Sequence, residues 1–315
     1  MDQIIQTLII GLADGLIFAL VALGYTLVYG IIELINFAHG DLFMIGSLIA
    51  FFLLAPTTVG GTGIFPLTAG MPVGQLVIEI LAVLGITVAA TGLINVTIER
   101  VAYKPLRHAP KLAPLITAIG MSFVLQNVGL AFAGSNQRTI ESVFPKDNIL
   151  SFFGITGITL SYQQLFVGIV TIPVLIALSY FVARTKQGKA MRATAQDPEA
   201  AGLMGVDVNR TIAITFLVGG ALAGAAGVVQ ILYNQVTVWN LGFRFGLNSF
   251  TSAVLGGIGN LRGAVIGALV LGQVNAFSDR FIAAAWTNAI VFGVLIAIMV
   301  FRPTGILGQQ LADRA

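Results

Sequence analysis

Apolar residues fall along this chain in runs of about 20, the length that carries an α-helix across a hydrocarbon core. Six runs are unbroken: Ile4 to Tyr29, Leu76 to Ile98, Leu112 to Ala133, Leu165 to Ala183, Thr211 to Leu232 and Phe281 to Val300. Two more are interrupted by polar residues, Ile31 to Leu54 around INFAHGD and Leu247 to Phe277 around GGIGNLRG. The first interruption puts Glu33, Asn36, His39, Gly40 and Asp41 in the middle of a membrane-like stretch. A charge at the bilayer centre costs about 2.5–3.5 kcal/mol on insertion scales. Such residues are kept where broken backbone lines a protected cavity or meets a partner. The pattern predicts an all-α, polytopic transmembrane helical bundle, one domain over residues 1–315, with two broken or re-entrant helices and six to eight crossings.

The two interruptions lie in corresponding positions near the two ends of the chain, the arrangement of transporters built from internal repeats. NFAHGDLFMIGSLIA and GNLRGAVIGALVLG share only a break followed by small and apolar residues, so the repeat is an expectation. Gly220, Gly224 and Gly227, with Ala221 and Ala225, make one stripe of small residues; Gly263, Gly267, Ala268 and Gly272 make another. Such stripes let backbones approach closely where no hydrophobic effect drives helices together, within one chain or between subunits.

Composition agrees with a membrane protein: 57% hydrophobic, 9% charged, mean hydropathy +0.95. A pI near 9.3 would suit a nucleic-acid binder, but the net charge is only +3 and the bases lie between hydrophobic spans. They read as topology signals, and no nucleic-acid partner is expected. Glu99 to Lys111 carries Arg100, Lys104, Arg107 and Lys111; Arg184 to Arg210 carries Arg184, Lys186, Lys189, Arg192 and Arg210. Both should be cytoplasmic, with the loops 55–75 and 134–161 on the other side. Eight crossings would leave both termini outside; six with two re-entrant segments would put both inside, which Arg302 favours. MDQIIQT has no basic residue before the first apolar run and reads as a retained span rather than a signal peptide.

Catalytic constellations are missing. Cys is absent and His occurs only at 39 and 108, so no metal site and no catalytic residue is expected. Neither G-x-S-x-G nor G-x-x-x-x-G-K-[ST] occurs, and GGIGNLRG lacks the third glycine of a dinucleotide turn. ATP and Mg, if they energise this protein, must be held by another chain. The second informative stretch is cytoplasmic, about residues 185–210. KQGKAMRATAQ predicts a short basic helix; Asp197 then suits an N-cap, Pro198 the first helical position and Glu199 the positive end of the dipole. It reads either as an anchor at the headgroups or as a coupling element for a motor subunit.

Five stretches taken together are specific. INFAHGDLFMIGSL, ERVAYKPLRHAPKLAPLITAIGMSFVLQN, GKAMRATAQDPEAAGLMGV, LGGIGNLRGAVIGALVLG and FRPTGILG, in this order and over nearly the whole chain, resemble the H-type integral-membrane permease of branched-chain amino acid ABC importers. The resemblance implies a multi-pass subunit of the bacterial inner membrane that is not itself an enzyme. Its implied partners are a homologous second permease, two cytoplasmic ATPase subunits that bind ATP and Mg, and a periplasmic solute-binding protein. It implies further that Gly188 to Gly205 is the coupling segment. Glu199, Ala200, Ala201 and Gly205 reproduce the EAA-x3-G spacing of such loops, flanked by Gly188, Arg192 and Asp197, although the apolar-proline ending of the wider motif is lacking.

For the translocation path the residues offer Asn36, His39, Asp41 and Ser47 near the first interruption and Asn248, Ser249 and Asn260 near the second. Sparse polar groups against an apolar wall suit an aliphatic zwitterion. A structural reading stands beside this: His39 bonding a neighbouring helix, Asp41 capping the helix that follows. Asp14 and Glu79 are ionisable groups within spans; Arg244 and Arg262 suit headgroups or a partner's acidic loop. Rival readings are a urea or short-amide permease, an ion-coupled secondary transporter using Asp14, Asp41 and Glu79, and a passive channel for a small neutral solute.

Overall fold

The computed structural model describes residues 2–68, 71–107, 109–110, 112–145, 147–154 and 157–308; His108 and Lys111, read above in the basic segment, lie outside them. The apolar runs fold as helices α1 (Asp2–Ile32), α2 (Ala38–Leu54), α3 (Val73–Ile98), α4 (Leu112–Ala133), α5 (Tyr162–Arg184), α8 (Val208–Asn234), α9 (Leu241–Gly256), α10 (Leu261–Ser278) and α11 (Ala284–Phe301). Two short polar helices, α6 (Lys186–Gln196) and α7 (Pro198–Leu203), join α5 to α8. One antiparallel two-residue pairing, β1 (Arg138–Thr139) with β2 (Val236–Thr237), clips the 134–161 loop to the end of α8. Among the described residues six helical stretches are long and apolar enough to cross a membrane, and α2 is a shorter apolar helix.

The two ends of the bundle are distinct. At one, Gln6 Oε1 accepts hydrogen bonds from Thr159 N (2.8 Å) and Thr159 Oγ1 (3.0 Å), tying the start of α1 to the 134–161 loop. At the other, Arg107 Nη1 donates to Asn209 Oδ1 (2.6 Å) and so joins the two basic segments. The charge pattern thus sorts the loops as expected. The termini depart from both expected arrangements. Helix α1 starts at the loop end, whereas residues 302–308 pack at the basic end, where Ile306 N donates to Leu255 O (2.8 Å). An even number of passes cannot give this; α5 is the extra pass, joining a half built of α1–α4 to a half built of α8–α11.

These halves are inverted copies. Glu33 and Gln235 are the only non-glycine residues with positive φ among the described residues (52° and 62°), and each ends a long helix, α1 or α8. Gly40 and Gly242, at the same spacing of 202 positions, face each other reciprocally. A Cβ built on Gly40 would lie 2.5 Å from the Gly242 carbonyl oxygen, and one built on Gly242 would lie 2.7 Å from that of Gly40. Helices α3 and α10 both end in a wide π-turn, Glu99–Tyr103 and Asp279–Ala283, with Asn95, Glu99 and Arg100 matching Asn275, Asp279 and Arg280.

The expected repeat therefore exists, but its second break is not GGIGNLRG. Gly257 and Gly259 take left-handed backbone (φ 101° and 93°) and make a tight α9–α10 reversal at the basic end. Leu255 O and Gly256 O there accept from Ile306 N and Leu307 N. The true counterpart of INFAHGD is 235–240: Gln235 caps α8 in left-handed geometry. The β-branched VTV then runs extended before α9 starts.

Both small-residue stripes serve packing within this chain. A Cβ on Gly220 would lie 2.6 Å from Thr91 O, and one on Gly227 2.5 Å from Ser47 N; Gly263 and Gly267 press on the α9 backbone and Gly272 on α1. Gly40→Ala should cost about 1–3 kcal/mol by overpacking a backbone contact and lower the detergent melting temperature. Gly85→Ala, where an added Cβ meets nothing within 4 Å, should be neutral or slightly stabilising. Equal melting temperatures for the two variants would contradict the crossing geometry.

Candidate functional site: the broken segments and the α6–α7 arm

At the first break the chain turns at Glu33, runs without regular structure through 34–36 and re-enters helix at Ala38 after Phe37, itself in helical backbone geometry. The polar residues predicted there are buried. Asn36 (1% exposed) accepts through Oδ1 from the Tyr103 hydroxyl at 2.7 Å. His39 stands edge-on to Tyr25, ring centroids 4.8 Å apart, in a notch that a side chain on Gly24 would fill. Asp41 does not cap α2, whose N-cap position is Phe37 with no side-chain bond. Its Oδ2 instead accepts from Ser122 Oγ of α4, and Ser122 Oγ also accepts from Gln126 Nε2 (3.2 Å). Ser47 is buried against Gly227 of α8.

From the second half, α9 brings Asn248 and Ser249, both buried. Phe250 packs on the same Tyr25 ring as His39, at 6.0 Å, so the two broken segments meet around Tyr25 and the Gly40–Gly242 contact. Asn36 Nδ2, Asp41 Oδ1, Ser47 Oγ and Ser249 Oγ are buried without a hydrogen-bond partner. Buried polar atoms are rarely left so; of these, Asp41 Oδ1 lies beside the Gly40–Gly242 crossing, where a Cβ built on Gly242 would meet it at 2.6 Å. Asn260 stands apart. It caps α10 by accepting from Arg262 N (3.1 Å) and Gly263 N (3.2 Å), and its Nδ2 donates to Leu307 O (2.8 Å). Glu79 accepts from Gln75 Nε2 (2.8 Å) along α3. Asp14 lies within electrostatic reach of Arg244 and Asp279, which sequence distance had hidden.

At the basic end, α6 and α7 form an arm rooted on α5. Thr185 caps α6 by accepting from Gly188 N (3.0 Å). Gly188 presses on the last carbonyls of α5, where a Cβ would collide with Phe181 O and Val182 O. Arg192 donates to Val182 O, a cation at a helix C-terminus. Gly188, Met191 and Thr194, three residues apart, are the buried face of α6. Asp197 caps α7, its Oδ1 accepting from Glu199 N (2.9 Å) and Ala200 N (3.0 Å). Ala201 is buried, Glu199 and Ala200 are exposed, and Gly205 closes the arm in left-handed backbone (φ 85°). Between them Leu203 and Met204 project at 91% and 85% exposure. The motif spacing had drawn attention to EAA and Gly205 and past this pair, whose signal was two apolar residues between glycines in an otherwise polar loop.

Residues 7–300 match the sequence profile of the family described as branched-chain amino acid transport system, permease component. The chain is 40% identical over 310 residues to the high-affinity branched-chain amino acid transport system permease protein BraD of Pseudomonas aeruginosa, covering 98% of this chain and 97% of that protein. It is 38% identical over 312 residues to LivH of Escherichia coli K12, at the same coverages. To the probable branched-chain amino acid transport permease protein LivH of Methanocaldococcus jannaschii it is 31% identical over 303 residues, covering 92% and 88%. No solved structure matches it. The apolar inverted-repeat bundle, its buried breaks and near full-length similarity to three such permeases lead to one assignment: this chain belongs to the branched-chain amino acid transport permease family.

Proposed function

We propose that this chain is the inner-membrane translocation subunit of an ABC importer for branched-chain amino acids, working beside a homologous second permease. A periplasmic binding protein delivers the solute at the end carrying the 134–161 loop. Two ATPase subunits, which hold ATP and Mg, dock at the basic, cytoplasmic end. The observation that carries this is the α6–α7 arm. Two nearly fully exposed apolar side chains, Leu203 and Met204, sit on a capped, rooted projection at the basic end. Large apolar groups held rigidly in water favour a protein partner. This arm has the connections to transmit motor closure: α6 packs against α5, α8 and α1. A push on α7 thus reaches both long helices, α1 and α8, that lead into the breaks.

The cargo follows from what surrounds the breaks. Phe43, Phe245, Phe250 and Tyr25 give an apolar, aromatic wall. The sparse polar atoms of Asn36, Asp41, Ser47, Asn248 and Ser249 suit a small zwitterion with an aliphatic tail.

Leu203→Asp with Met204→Asp should cut ATP-driven uptake by tenfold or more, roughly the loss of one well-buried contact pair, and should abolish co-purification of the ATPases. The permease itself should remain in the membrane with an unchanged melting temperature. Normal uptake by this variant would remove the arm from the coupling path. In vesicles holding the full importer, unlabelled isoleucine and valine should compete with labelled leucine, and urea should not. Uptake by the isolated chain under an ion gradient without ATP would instead select the secondary-transporter reading.

A further inference from the structure

Arg244 occupies a place where lipid cannot receive it. Its neighbour Phe245 packs on Phe18, ring centroids 5.6 Å apart. Phe18 lies midway along α1, about 24 Å from Asp2 and about 21 Å from Ile32 at the helical rise. The edge of a hydrocarbon core centred there is roughly 15 Å away, farther than an arginine stem can snorkel. Yet Arg244 is exposed, as is Phe243, and its guanidinium makes no hydrogen bond or ion pair among the described residues. An unpaired guanidinium at mid-depth faces a polar passage or a partner, not acyl chains.

Three further observations separate these possibilities. Half-buried Asp14 lies within electrostatic reach, so the cation stands near a carboxylate without being neutralised by direct contact. Helix α9 begins three residues before Arg244, and its positive end adds to the attraction for an anion at this spot. The inverted repeat also supplies a control built into the molecule. The positions equivalent to Asp14 and Arg244, 202 residues along, are Phe216 and Leu42, both fully buried and apolar. The repeated backbone itself therefore requires no charge at either position, and Arg244, unlike buried Leu42, is exposed.

We propose that Arg244 lines the solute passage at mid-depth and takes the carboxylate of the passing amino acid, with Asp14 beside it facing the ammonium. This rests on the amino-acid reading above and names the contact within it. Opposite charges flanking one spot match a zwitterion and discriminate against neutral amides and ions of a single sign.

The test uses the complete importer, with binding protein and ATPases, in proteoliposomes. Arg244→Gln and Asp14→Asn should each lower leucine uptake by about tenfold, the loss of one charge-assisted contact, while ATP hydrolysis stimulated by the loaded binding protein persists. Arg244→Lys should recover part of the uptake. Arg244→Leu separates the alternatives. If the face meets lipid, this variant transports at the wild-type rate and melts higher, and the proposal is overturned. Parallel loss of stimulated hydrolysis and uptake in Arg244→Gln would also overturn it, since that marks a subunit contact. Failure of the wild-type importer to take up leucine would instead remove the amino-acid reading.

Discussion

Backbone touching backbone at Gly40 and Gly242 is the contact on which the rest of this molecule depends. Helices in lipid gain nothing from hiding apolar surface, because the solvent is as apolar as they are. What holds them is close approach, and here the two inverted halves meet with no side chain between them. The same logic repeats outward, from α8 against α3 through Gly220 and Gly224 to α10 against α1 through Gly272. Because Gly40 and Gly242 each stand at the start of a half-helix, the tightest packing coincides with the two interruptions in the helical ladder. Asp41, with one carboxylate oxygen unpaired, sits at that coincidence.

Symmetry of the backbone sets off asymmetry of the chemistry. In the first half the π-turn acid, Glu99, is paired with Arg107, and Asn36 is bonded to Tyr103. These contacts lock the first break to the basic end. In the second half the matching acid, Asp279, accepts from Thr287 and lies within electrostatic reach of Asp14, while Arg244 forms no ion pair among the described residues. One half is thus fastened at the end where the α6–α7 arm is rooted, while the other carries unneutralised charge at mid-depth.

Much of the fold was legible in the sequence because hydrophobic length dictates spans almost alone. The first break was legible too, since Glu33, His39 and Asp41 have no cheap alternative in a membrane. Its counterpart was not. Gln235 to Asn240 carries no charge, and nothing in Val236, Thr237 and Val238 marks a break. The glycines of GGIGNLRG drew the assignment to a place where left-handed backbone makes a hairpin instead. Asp197 as a cap and Glu199 at the head of α7 were readable, because capping is local. The Asp14–Arg244 neighbourhood was unreadable in principle: it depends on α9 starting at mid-depth, which only the folded crossing determines.

Two inverted halves joined by one extra pass put the start of α1 and residues 302–308 on opposite sides. The chain contains no cysteine, so single thiols can be placed at Gln3, Gly157, Leu203 and Thr304 and probed in spheroplasts with a membrane-impermeant maleimide. Labelling at 3 and 157 from outside, with 203 and 304 reached only after the membrane is opened, is the predicted result. Labelling of 3 and 304 from the same side would contradict it.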